Sequence, residues 1–129
     1  RGYTMYEYDL GAYAAPIIFR VANEGDPVAR ELIHWAGCEL GELANAIIRQ
    51  LEFEELAFDV VMTGSMFKGG AMLIDPMRET IHKLAPKARL VRLEVPPVIG
   101  SVLIGMEAGG IKPTPAIRKT LKETVLMVR

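Results

Sequence analysis

The chain has 129 residues, of which half are hydrophobic, so it is long enough to bury the core of one domain. Its 15 basic and 16 acidic residues leave a net charge of -1, which gives no electrostatic reason to expect nucleic acid or an anionic membrane as a partner. A single cysteine, Cys38, excludes an intrachain disulfide and a CxxC metal or redox motif, as expected of a cytoplasmic protein.

The first predicted element is a helix from Leu10 to Glu24, in which apolar residues recur at spacings of three and four. Pro16 fits the first turn of a helix better than its middle, so the regular part is expected to begin at Ala14 or Ala15. Gly25 follows and can adopt the left-handed conformation that ends a helix.

A second, longer helix is predicted from Pro27 to about Gln50, with Asp26 as its N-terminal cap. Its apolar stripe is broad, which predicts a largely buried helix. Gly37 and Gly41 lie one turn apart on it, although a glycine inside a helix costs about 1 kcal/mol relative to alanine. Two interpretations are open: close packing against another backbone, or the close approach of a ligand.

The middle of the chain reads as a strand, a helix and a second strand. The predicted ranges are Phe58 to Thr63, Met72 to Leu84 and Ala88 to Val95, and Asp75-Pro76 is expected to kink the helix or delay its start. Such a unit implies a parallel pair of strands. The fold class is therefore α/β, in the order helix, helix, strand, helix, strand, helix, helix.

Two helices complete the chain. The first runs from Val98 to Ala108 and closes at Gly109-Gly110, and the second runs from Thr114 or Pro115 to about Val125. Two strands are too few for a stable sheet, so the missing strands are expected from a longer parent protein or from a partner chain. We therefore interpret residues 1–129 as one fragment or trimmed form of a longer protein, and we expect it to form a homo-oligomer.

The turn Gly64-Ser65 is the most informative feature for function. It follows the first strand and precedes a helix, at the carboxyl edge of the sheet where open α/β folds bind ligands. Glycine allows a ligand to approach the backbone closely. Since many tight turns between strand and helix contain glycine, an ordinary turn is the alternative interpretation.

Conventional catalytic patterns, including the P-loop and the nucleophile elbow, are not found in the sequence. His34 and Cys38 are four residues apart on one predicted helix, where a metal-binding pair is conceivable but a packed or partly exposed pair is favoured. His82 has no such neighbour. Asp59 could act as a base, although a role in solvating the start of the strand is favoured.

Four segments in this order resemble the C-terminal part of the BadF/BadG/BcrA/BcrD-type ATPases, which include N-acetylglucosamine kinases and belong to the actin-like ATPase superfamily. The segments are Ala22-Asn-Glu-Gly-Asp-Pro-Val-Ala29, Glu39-Leu-Gly-Glu-Leu-Ala44, Val60-Val-Met-Thr-Gly-Ser-Met-Phe67 and Pro97-Val-Ile-Gly-Ser-Val-Leu-Ile104. The similarity extends from about Ala14 to Gly109. It implies the C-terminal portion of an actin-like, ribonuclease H-like domain.

The resemblance implies that this chain contacts the adenosine side of ATP. Gly64 and Ser65 correspond to the adenosine motif, and Met66, Phe67 and Lys68 are expected to line the base. Gly100-Ser101, where the family usually has Gly-Ala, opens a helix that flanks the nucleotide. Gly37 and Gly41 would lie on a helix that faces the same cleft.

The phosphate-binding motifs of the family and its sugar-contacting acid are not among these 129 residues. ATP with Mg²⁺ is thus the cofactor expected of the full-length protein, with the sugar bound outside this chain. Because phosphoryl transfer depends on positioning and metal-assisted charge neutralisation, the fragment alone is expected to be inactive.

Two alternatives remain open at this stage. One is an ATPase activator of a radical acyl-CoA dehydratase, in the same family; such activators hold an iron–sulfur cluster through cysteines, and a single cysteine argues against this. The other is a non-catalytic α/β interaction or regulatory module that retains the fold.

Overall fold

The computed structural model describes residues 14–93 and 95–127, which form five α-helices and two parallel β-strands. In chain order, the elements are α1 (Ala14–Glu24), α2 (Pro27–Leu51), β1 (Asp59–Met62), a short 3₁₀ helix (Ser65–Gly69), α3 (Ala71–Leu84), β2 (Arg89–Arg92), α4 (Val98–Ala108) and α5 (Pro115–Met127). The α/β class and the order of the elements are confirmed. The part of the predicted first helix before Ala14 lies outside the described residues.

The chain divides into two units, with the boundary between Val91 and Arg92. The first unit contains α1, α2, α3, the 3₁₀ helix and most of the sheet. Its core consists of apolar residues from all of these elements, including Ile33, Ile48, Met62, Leu73 and Ile81. The second unit contains α4 and α5, with Ile99 buried on α4.

The junction between α1 and α2 forms as the sequence predicts. Gly25 has a φ of 110°, and the N–H of Asp26 donates to the carbonyl of Val21 at 3.2 Å, which closes α1. Asp26 then caps α2, because its Oδ1 accepts a hydrogen bond from the N–H of Ala29 at 2.8 Å. One short segment therefore ends one helix and starts the next.

The pairing of α2 with α3 is the central contact of the first unit. At Gly37, an added Cβ would lie 2.5 Å from the carbonyl oxygen of Leu73 and 2.7 Å from Cγ of Pro76. At Gly41, it would lie 2.6 Å from Cβ of Thr80. These distances leave no space for a side chain, so the two glycines allow the helix backbones to approach closely.

The same contact contains a buried polar side chain. Asn45 on α2 is 2% exposed, and its Nδ2 donates to the carbonyl oxygen of Thr80 at 3.1 Å. Gly41 and Asn45 therefore both meet Thr80, one turn apart along α2. Because a hydrogen bond has a narrow geometry, it fixes the position of α2 along α3 in a way that apolar contacts alone do not.

Both strands are shorter than predicted, at Asp59–Met62 and Arg89–Arg92. The ladder between them continues just beyond β1, since the N–H of Arg89 donates to the carbonyl of Phe58 at 2.8 Å. Val60 and Met62 face the helices, whereas Asp59 and Val61 face the opposite side and are exposed. In the described part of the chain, the sheet therefore has two strands, and helices pack on one of its faces.

Candidate functional site

The backbone that follows β1 is shaped by two glycines. Gly64 has a φ of 110° and Gly70 has a φ of 72°, a region that side-chain-bearing residues rarely adopt. Between them, Ser65–Gly69 forms a 3₁₀ helix that the sequence did not predict. The backbone conformation is thus sufficient reason for glycine at position 64.

The space beside Gly64 is open, because an added Cβ would meet no atom within 4 Å. This position is exposed at the carboxyl end of β1, where the sequence places the candidate ligand site. A β-branched residue here would nevertheless strain the backbone. Substitution of Gly64 would therefore alter folding as well as any ligand contact.

Side chains of the 3₁₀ helix point in two directions. Phe67 is 8% exposed and belongs to the hydrophobic core. Ser65, Met66 and Lys68 are exposed. The expectation that Phe67 lines a ligand base is therefore corrected, since its ring is packed in the protein interior and holds the turn in place.

Ser65, Met66 and Lys68 line a cleft of about 470 Å³ between the 3₁₀ helix and α1. Gly69 completes this wall, and the opposite wall consists of Ala15, Pro16, Phe19 and Asn23. The ring of Phe19 occupies the space that a Cβ of Gly69 would need, so the glycine allows α1 to pack closely against the 3₁₀ helix. We call this space the α1 cleft.

The chemistry of the α1 cleft combines an apolar surface with a few polar groups. Pro16, Phe19 and Met66 provide apolar contact area, and no carboxylate is among the lining residues described by the structure. Asn23 offers an amide, Ser65 a hydroxyl and Lys68 an ammonium group. Its volume lies in the range of about 300–1,000 Å³ that is common for small-molecule sites. A flat, partly polar ligand with negative charge suits this composition.

The four residues contributed by α1 were not predicted as part of the site. They lie more than 40 positions from the 3₁₀ helix in the sequence, and their amphipathic spacing indicates helix packing alone. The pair Gly69-Gly70 was the one available signal, because a glycine can mark a place where an aromatic ring approaches the backbone.

Gly37 and Gly41 are buried in the contact between α2 and α3. Of the two interpretations, close helix packing accounts for both positions. Atoms of Leu73, Pro76 and Thr80 fill the space that a ligand would need there. We therefore leave these glycines out of the candidate site.

Gly100 and Ser101 lie in the first turns of α4, in the second unit, and both are exposed. An added Cβ at Gly100 would meet no atom within 4 Å. Their role beside a nucleotide stays a prediction from the resemblance.

The other residues considered for chemistry have structural partners. Asp59 accepts a hydrogen bond from Nε of Arg89 at 2.7 Å, and Nε2 of His82 lies 2.9 Å from the carbonyl oxygen of Ala88. Sγ of Cys38 lies 3.9 Å from Nδ1 of His34. Among the described residues, no group of three or more His, Cys, Asp or Glu side chains could hold a metal ion.

No family model, curated protein or solved structure matches the chain. Within residues 14–93 and 95–127, no helix combines the length and apolar character needed to cross a membrane.

Proposed function

We propose that this chain binds the adenosine part of ATP in the α1 cleft, as one portion of an actin-like ATPase related to sugar and amino-sugar kinases. One observation carries the proposal. Three of the residues that the resemblance assigns to the adenosine side, Ser65, Met66 and Lys68, line one cleft at the carboxyl end of β1.

The lining residues suggest how the nucleotide would be held. A purine base would lie against the apolar surface of Met66, Phe19 and Pro16, which offers van der Waals contact without specific charge. The hydroxyl of Ser65 and the amide of Asn23 would hydrogen-bond to the ribose or to the edge of the base. The exposed ammonium group of Lys68 would attract the phosphates.

Mg²⁺ would arrive bound to the phosphates, because the described lining of the α1 cleft contains no carboxylate that could bind the ion. Phosphoryl transfer would need further residues that position the γ-phosphate and the acceptor hydroxyl. The proposed contribution of this chain is thus binding and orientation of the nucleotide.

Isothermal titration calorimetry with ATP, and separately with adenosine, tests the proposal. Met66→Asp places a carboxylate against the base, and we expect it to weaken the binding of both ligands at least tenfold, or about 1.4 kcal/mol. Lys68→Met should weaken ATP binding more than adenosine binding, because adenosine has no phosphate. Lys83→Met, an exposed change on α3 outside the cleft lining, is the matched control.

Circular dichroism melts of each variant establish that the fold is retained. Binding of ATP that competes with inorganic triphosphate but not with adenosine would contradict an adenosine site. Equal affinity of the wild type and a folded Met66→Asp protein would place the nucleotide outside the α1 cleft.

A further inference from the structure

The polar side chains of the α1 cleft lie on two different walls. Ser65 and Lys68 line the cleft from the 3₁₀ helix and are exposed there. Because a 3₁₀ helix has three residues per turn, side chains three positions apart stand in one row along it. The hydroxyl and the ammonium group therefore share one wall, and Asn23 is the polar side chain that α1 contributes to the other.

Asn23 lies beside the apolar surface that would receive the base. Phe19 and Asn23 are four residues apart on α1, so they occupy the same face of the helix, one turn apart. The Cα–Cβ bonds of a helix tilt toward its N-terminus, which directs the side chain of Asn23 toward the ring of Phe19. A base packed between Phe19 and Met66 would consequently present an edge to this amide.

The backbone that carries Asn23 is held by contacts beyond α1. Ala22 is fully buried, and its carbonyl accepts hydrogen bonds from the N–H of Gly25 at 3.1 Å and from Nε of Arg30 at 2.9 Å. Since Arg30 belongs to α2, this contact attaches the last turn of α1 to the neighbouring helix. An amide on a fixed backbone loses less freedom when it pairs with a ligand, which strengthens the pairing.

We propose that Asn23 determines which base the α1 cleft accepts and that its amide selects adenine over guanine, an inference that rests on the proposed function. The Watson–Crick and Hoogsteen edges of adenine each place the 6-amino donor beside one acceptor, N1 or N7. The amide of Asn23 has an acceptor in Oδ1 and donors on Nδ2, so it matches either edge with two hydrogen bonds. The ribose and the phosphates are left to the row formed by Ser65 and Lys68.

Guanine fits the same wall less well. Its Hoogsteen edge presents two acceptors, O6 and N7, which leave Oδ1 of Asn23 without a donor. Its Watson–Crick edge can bond to the amide through O6 and N1–H, but the 2-amino group beside them then needs a further acceptor. No carboxylate is among the described lining residues to provide one. Guanine would thus leave a polar group unpaired, which lowers its affinity.

Titration calorimetry with adenosine and guanosine tests the role of Asn23, since neither nucleoside carries a phosphate that a change of protein charge would affect. The wild type should bind adenosine about tenfold more tightly than guanosine, the order of magnitude expected of one bidentate base contact. Asn23→Asp should reverse this preference. A carboxylate accepts from N1–H and the 2-amino group of guanine together, but it has no donor for N1 or N7 of adenine.

Arg20→Gln is the matched control for the change of charge. It alters the net charge by the same amount as Asn23→Asp, on the same helix and at an exposed position outside the described cleft lining. It should leave the ratio of the two affinities unchanged. Circular dichroism melts identify the variants that fold.

Purine riboside isolates the single contact, because it is adenosine without the 6-amino group. The wild type should bind it about fivefold more weakly than adenosine, as expected for the loss of one hydrogen bond. Asn23→Ala should bind the two nucleosides equally. A merely structural role of Asn23 would weaken both ligands and leave their ratio as in the wild type. This comparison stands even if Asn23→Asp does not fold.

Equal affinity of the wild type for adenosine and guanosine would overturn this inference and leave the proposed function standing. A folded Asn23→Asp protein that keeps the preference for adenosine would have the same consequence. If the wild type bound neither adenosine nor ATP, the proposed function and the role of Asn23 would fall together.

Discussion

At the scale of single residues, the close contact between α2 and α3 requires two positions of α2 to have no side chain. Gly37 and Gly41 face α3 at distances that a Cβ cannot occupy, and the neighbouring atoms include backbone oxygen. Backbone atoms cannot move aside as the end of a flexible side chain can. The helix-propensity cost of these glycines is therefore offset by the packing they allow.

We expect Gly37→Ala to lower the free energy of unfolding by about 1–3 kcal/mol, because the added methyl group would overlap with Leu73 and Pro76. Urea denaturation followed by circular dichroism measures this change. Gly105→Ala on α4 is the matched control: its Cβ would meet nothing within 4 Å, so better helix propensity should leave stability equal or higher. A stabilised Gly37→Ala protein would contradict the close contact of α2 with α3.

At the scale of elements, the bounds of the helices depend on local signals that the sequence displays. Asp26 caps α2 through a 2.8 Å hydrogen bond, and Gly109-Gly110 closes α4 with a φ of 78° at Gly110. Each signal involves residues within one turn of the boundary. A local interaction of this kind can be tested with one substitution.

Asp26→Ala should reduce the free energy of unfolding by about 1 kcal/mol, because the N–H of Ala29 loses its side-chain acceptor. Asp26→Asn keeps an acceptor at the same position and should retain most of the stability. Thermal melts of both variants provide the comparison. If the two variants lost stability equally, the charge of Asp26 rather than its capping bond would be responsible.

The helices were predictable because capping residues and apolar periodicity are local. α2 begins at Pro27 as predicted and ends one residue later than expected, whereas both strands are shorter. Pro76 does not delay the start of α3, which begins at Ala71; it lies inside the helix, buried against Gly37. The place of Pro76 inside the helix depends on tertiary packing against α2, which no local sequence signal indicates.

The candidate site was predictable only in part for the same reason. The turn after β1 was identified from its glycine and its place after a strand. The fold of that turn into a 3₁₀ helix, the burial of Phe67 and the approach of Phe19 all depend on contacts between distant parts of the chain. The sequence pattern thus located one wall of the α1 cleft and missed the other.

At the scale of the whole molecule, the chain offers a cleft for binding and few groups for chemistry. The phosphate motifs that the resembled family uses are not present in the sequence, and the α1 cleft has no Asp, Glu or His among its described lining residues. Binding without positioning of the γ-phosphate should not lower the barrier to transfer.

We therefore expect no kinase or ATPase turnover above background from this chain with ATP, Mg²⁺ and N-acetylglucosamine. A coupled assay of ADP release measures it, with a competent N-acetylglucosamine kinase as the positive control. Turnover that disappears in Lys68→Met would contradict the expectation, because it would show that this chain holds a complete phosphoryl-transfer site.

The stretch from Gly64 to Gly70 has a consequence for mutational tolerance. Gly64, Phe67 and Gly70 hold the backbone through two positive φ angles and one buried ring, whereas Ser65, Met66 and Lys68 face the cleft. Three positions thus fix the fold of this short segment, and the three that line the cleft alternate with them. Under the proposed function, natural variation or laboratory selection at the exposed positions would change which ligand the cleft binds while the architecture stays intact.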